Sequence, residues 1–130
     1  MRRLLAALAV LSVVAPAALA AGPSAPAPSG GTAIGVAQRE FYITAYRRTV
    51  APGLVRFNVR NFGEDTHNFV VRGPRGYLKA GPDVSAGDSM TLAVKLRREG
   101  TYLLLCTRAD HLRRGMKTKL VVRKPAARKR

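Results

Sequence analysis

From residue 34 onward, apolar side chains fall on every second position. Val55, Phe57 and Val59 alternate with Arg56, Asn58 and Arg60, and Leu92, Val94 and Leu96 alternate with Thr91, Ala93 and Lys95. The same period runs through Phe41, Ile43 and Ala45 and through Thr118, Leu120 and Val122. A period of two puts one set of side chains on one face of an extended chain, so each run reads as a half-buried strand. Thr101 to Cys106 is apolar on both parities, which predicts a strand buried on both faces. His67 to Arg72 is a short apolar strand closed by Gly73-Pro74. Turn residues stand between the runs at Pro52-Gly53, Asn61 to Asp65 and Glu99-Gly100. Arg75 to Gly87, rich in Gly, Pro and Asp, reads as a loop, and no stretch combines a helical period with caps. Short strands at regular spacing predict an all-β, Greek-key antiparallel sandwich over residues 34–123.

The start of the chain reads differently. Met1-Arg2-Arg3, the apolar stretch Leu4 to Ala15 and the small-residue exit Ala18-Leu19-Ala20 have the three parts of a secretory signal peptide. The apolar core is too short to span a bilayer comfortably, which argues against an uncleaved anchor. No cysteine follows it to carry a lipid. Cleavage after Ala20 would leave one small domain, preceded by a Pro/Ala/Gly/Ser-rich linker over residues 21–33 and followed by a basic tail over 124–130. The expected location is therefore extracytoplasmic: periplasm, cell envelope or medium of a bacterium.

The formal charge is +16, and +14 once Arg2 and Arg3 leave with the signal. Such a charge suits nucleic acid, an anionic envelope surface or an acidic protein. The export signal argues against nucleic acid. Part of the charge serves solubility, and the tail reads as a solvated segment, with anchoring to an anionic surface as the alternative.

The residues able to do chemistry are few and close together. The chain holds one cysteine and two histidines, in the order His67…Cys106-x4-His111-x4-Met116. A single cysteine in an exported chain cannot form an internal disulfide, and an exposed thiol there is open to oxidation. Metal coordination resolves this, because the ligand is a thiolate. One thiolate, two imidazoles and a thioether form the ligand set of a type 1 (blue) copper electron-transfer site, which must hold both Cu(I) and Cu(II). Separately, His67 reads as a strand-edge polar residue, Met116 as core filler and Cys106 as a small buried hydrophobe. Together these readings leave the spacing unexplained. A structural zinc site rarely includes methionine. A Cys–His–Asp trio through Asp110 lacks a cleft, and no nucleophile elbow, phosphate loop or zinc cysteine pair is present, so an enzyme is not expected.

Four segments resemble the cupredoxins, small bacterial plastocyanin- and azurin-like proteins. They are Glu40-Phe41-Tyr42-Ile43, Asn61 to Asn68, Gly100-Thr101-Tyr102 with Leu105-Cys106, and the Cys-x4-His-x4-Met loop through Gly115-Met116-Lys117. The resemblance spans Ile34 to Arg123. It implies one Cu(I)/Cu(II) ion on His67, Cys106, His111 and Met116, with Asn68 hydrogen-bonded to the segment after Cys106 through Thr107. Many members carry Pro-Gly before the second histidine, where this chain has Ala109-Asp110, a departure that bears on loop rigidity and potential. The implied function is single-electron transfer between redox partners, with His111 as the exit. Arg108, Arg113, Arg114, Lys117 and Lys119 form a basic rim for a transient acidic partner. Copper delivery and a metal-free binding module are the alternatives, and a monomer is expected.

Overall fold

A computed structural model describes residues 30–127, so the signal segment, residues 21–29 of the linker and the last three residues of the tail lie outside the described residues, while Thr32 and Ala33, read as linker in the sequence, already belong to the first strand. Nine strands follow one another: β1 (Thr32–Arg39), β2 (Tyr42–Ala45), β3 (Thr49–Val50), β4 (Gly53–Asn61), β5 (His67–Arg72), β6 (Leu78–Val84), β7 (Ser89–Leu96), β8 (Gly100–Leu105) and β9 (Lys117–Val122). They form two sheets, ordered β2-β1-β4-β7 and β3-β9-β8-β5-β6. The core lies between the inner faces. Val55, Phe57 and Val59 of β4 meet Phe69, Val71, Tyr102, Leu104, Leu120 and Val122 of the second sheet, all nearly inaccessible. Phe57 and Phe69 touch across the layers with ring centroids 5.2 Å apart. Each apolar parity in the sequence thus becomes one buried face.

Two features differ from the sequence expectation. The sandwich is not wholly antiparallel: β1 pairs with β4 and β3 with β9 in parallel. The chain leaves the first sheet after the β1–β2 hairpin, lays β3 on the second sheet and returns with β4 beside β1. Two strands separated by such an excursion can run the same way. The second difference is β6, which occupies most of the stretch that reads as a loop. It pairs only with β5, at the edge of its sheet, and the pairing slips between Asn68 and Val70. Gly81 and Pro82 are tolerated there because an edge strand has a side with no ladder to satisfy. Among the described residues no helix is long and apolar enough to cross a membrane.

Candidate metal centre

Strand parity aims three of the sequence's candidate ligands at one point. In β5, His67 shares the inward parity of Phe69 and Val71. In β8, the inward residues Tyr102 and Leu104 are followed by Cys106, one step past the strand end. In β9, the inward residues Thr118 and Leu120 are preceded by Met116. The ladder sets Val70 opposite Leu105 and Leu105 opposite Lys117, so the start of β5, the end of β8 and the start of β9 share one end of the sandwich. His111 lies on the β8–β9 connection, which folds back over that end through bonds from Met116 N to His111 O (3.0 Å) and from Cys106 N to Met116 O (3.2 Å).

The donors converge. His67 Nδ1 lies 3.1 Å from His111 Nδ1, and Cys106 Sγ lies 3.6 Å from His111 Nδ1. All three ligand atoms fall within 4.8 Å of one another. A transition-metal ion with bonds of about 2.0–2.3 Å to nitrogen and sulfur holds its donors roughly 3–4 Å apart, and the His67–His111 and Cys106–His111 separations are of that size. His67, Cys106 and Met116 are fully buried, while His111 keeps 6% of its surface. Its ring opens towards a depression of about 510 Å³ lined by Asp65, Thr66, Thr107, Arg108, Ala109 and His111. The four residues are positioned like the donors of a type 1 copper site, thiolate and imidazoles inward with a buried thioether beside them.

The surrounding hydrogen bonds fix these side chains. Asn68 Nδ2 donates to Thr107 Oγ1 (2.9 Å), and Thr107 N donates to Asn68 Oδ1 (2.8 Å). This pair ties the strand that carries His67 to the loop that follows Cys106. Gln38, buried in β1, donates from Nε2 to the Asn68 carbonyl at 2.8 Å, which fastens the first sheet to the same point. The backbone N–H of Arg108 donates to Cys106 Sγ at 3.4 Å. Phe41 meets His111 edge-on, centroids 5.2 Å apart, and the Arg114 guanidinium lies 3.6 Å above the other ring in the stack, that of Phe41. Ala109 takes a left-handed conformation at φ 43°, so the chain turns before His111 without the glycine that such a turn favours. Arg108 of the basic rim is paired with Asp83 at 2.8 Å.

Two carboxylates at the site were not visible as such in the sequence. Glu40 Oε1 lies 3.2 Å from His67 Nε2, and Asp65 Oδ2 lies 3.7 Å from His111 Nε2. Burial pushes the His67 imidazole below its ordinary value, against the opposing pull of Glu40. The backbone N–H of Asp65, more than any other group, holds the Glu40 carboxyl below its own, with the N–H of Glu64 acting in the same sense. In the sequence the Glu40-Phe41 segment stands out only through its resemblance to the cupredoxins. Asp65 sat in a bend of turn residues, where an acid carries no special signal.

No protein-family model matches the chain, and no curated protein matches it. Solved structures do. A reduced auracyanin from Roseiflexus castenholzii superposes with a TM-score of 0.59 at 20% identity, covering 74% of this chain and 100% of its own. Auracyanin A, a "blue" copper protein from Chloroflexus aurantiacus, gives 0.60 at 18%, covering 72% and 100%. A copper-containing nitrite reductase from Thermus scotoductus gives 0.57 at 20%, over 76% of this chain but only 32% of the reductase. The chain has the cupredoxin fold, a fold that occurs both in small copper proteins and within larger enzymes.

Proposed function

We propose that this chain is an exported type 1 copper protein that carries single electrons, with His67, Cys106, His111 and Met116 as its ligands. The convergence of two imidazole nitrogens and one thiol sulfur within 4.8 Å, in a buried site, carries the reading. Bound copper would supply a one-electron Cu(II)/Cu(I) couple. The protein's part is to hold the donors still and dry. Parity and ladder register aim His67, Cys106 and Met116 inward, and the Asn68–Thr107 pair joins the two ligand-bearing segments. Outer hydrogen bonds of this kind orient ligands and tune a metal.

His111 is the electron's exit, being the ligand with an edge towards solvent. Arg113, Arg114, Lys117 and Lys119 are exposed on the same connection and the strand it enters. They favour an acidic redox partner met in a brief, salt-sensitive encounter. The signal segment and linker would place the domain outside the cytoplasm, as a monomer, with the basic tail available to an anionic envelope surface.

Copper loading of the mature domain tests this. An intensely coloured Cu(II) protein with reversible one-electron chemistry, whose colour disappears in Cys106→Ser, supports the carrier. A colourless Cu(I) protein that yields its metal readily to a chelator indicates delivery instead. A protein that takes up no copper is a binding module. Rates with the partner that do not change with salt contradict the role of the basic rim.

A further inference from the structure

We propose that Glu40 is a positioning residue for His67 that also sets the balance between the two copper oxidation states. The potential-setting part rests on copper binding at the site. Glu40 follows the last residue of β1 and turns its carboxylate back over the start of β5. Its Oε1 accepts from Glu64 N at 2.8 Å and Asp65 N at 2.9 Å, and lies 3.2 Å from His67 Nε2. The loop is shaped around this carboxylate, for a Cβ on Gly63 would overlap it. His67 is fully buried and the Glu40 side chain keeps only 27% of its surface, so the contact is partly shielded from water.

An ionised carboxylate only accepts hydrogen bonds, so the contact requires the proton of the neutral imidazole to sit on Nε2. The lone pair is then left on Nδ1, the nitrogen that faces Cys106 and His111. The ring is oriented and its tautomer chosen by one acceptor. The same carboxylate carries a full negative charge, which favours the more positive oxidation state. The other imidazole has no equivalent. Asp65 stands 3.7 Å from His111 Nε2, outside hydrogen-bond reach, on a side chain that is 55% exposed. The two histidines are therefore unequal, and Glu40 acts on the inner one.

Glu40→Gln tests the potential-setting part, since Gln keeps the acceptor oxygen for the loop and for His67 and loses the charge, and Glu40→Ala tests the positioning part. In the copper-loaded protein the preference for Cu(II) over Cu(I) should fall about tenfold, a rise in potential of about 59 mV. Asp65→Asn should move it by less than half as much. Gly63→Ala, which displaces the carboxylate without altering the charge count, should shift it in the same direction as Glu40→Gln. In the metal-free protein, ring ¹⁵N shifts should show His67 as the Nε2–H tautomer in wild type and in Glu40→Gln, whose remaining oxygen still accepts from Nε2, and as a tautomer mixture in Glu40→Ala, which has no acceptor there. Blue Glu40→Gln protein with an unchanged potential overturns the potential-setting role alone. An Nδ1–H tautomer in the metal-free wild type overturns the positioning role. Failure of the wild type to bind copper overturns the carrier reading and the potential-setting part with it, while the tautomer still decides the rest.

Discussion

The two histidines sit 5.0 Å apart, centroid to centroid, in unlike surroundings. His67 grows out of a strand, is fully buried, and has its outer nitrogen clamped by Glu40 under a loop that wraps the carboxylate. His111 rides on a connection between strands, keeps an edge to solvent, and meets Phe41 on one side and a distant Asp65 on the other. Its loop turns on a non-glycine residue at positive φ. The difference separates two tasks. On the carrier reading proposed above, the inner side would fix geometry and charge, whereas the outer side would offer a path to a partner. A carrier needs both, because a site rigid and closed all round has no exit for its electron.

The comparison can be broken from the inner side first. Gly63→Ala should cost about 1–3 kcal/mol of stability, because the displaced carboxylate leaves two loop N–H groups and His67 Nε2 without their acceptor. Thermal or denaturant unfolding of the metal-free protein measures it, and a neutral result would show that the clamp does not brace the fold. Asn68→Ala should cost about 1–2 kcal/mol by removing both bonds to Thr107. It should also broaden the spectrum of bound Cu(II), since it uncouples the inner strand from the outer loop.

Acid should act through the inner side as well. Burial lowers the His67 pKa from an ordinary 6.5, and the Asp65 N–H leads the groups that lower the Glu40 pKa from an ordinary 4.5. Each group binds fewer protons folded than unfolded in the intervening range, so the metal-free protein should lose stability as pH falls. The loss from His67 begins as pH drops below 6.5, and that from Glu40 begins below 4.5. Unfolding midpoints measured from pH 7.5 downward check the order, and Glu40→Gln should remove the lower step. The smallest effect belongs to the outer side. Ala109→Gly should relieve the left-handed strain and stabilise by about 0.5 kcal/mol, after allowance for the extra freedom of glycine in the unfolded chain. A destabilised Ala109→Gly would mean that the methyl group packs against something the loop needs.

What could be read from the sequence follows from how local each signal is. Alternation of apolar residues placed most of the strands, because side-chain direction in a strand depends only on position, whereas the inward parity of His67 and Cys106 left no such mark, the strand ending at Cys106 being apolar on both parities. The ligand pattern was legible because three of its four members lie within eleven residues, from Cys106 to Met116. Glu40 was not, since it meets His67 only after β1 and β5, in different sheets, have packed together. The edge strand β6 was hidden by Gly81-Pro82-Asp83, which signals a turn unless a neighbour supplies the pairing on one side. The two parallel pairings were equally invisible, because they depend on which sheet each connection crosses to and leave no mark on residue periodicity.

The central claim, that His67, Cys106 and His111 close around one copper ion, is tested most directly by visible absorption and electron paramagnetic resonance of the domain titrated with Cu(II). The account predicts saturation at one equivalent, an intense thiolate-to-copper band in wild type, and loss of that band in Cys106→Ser. A colourless Cu(II) adduct, or a spectrum that survives the removal of Cys106, would contradict it.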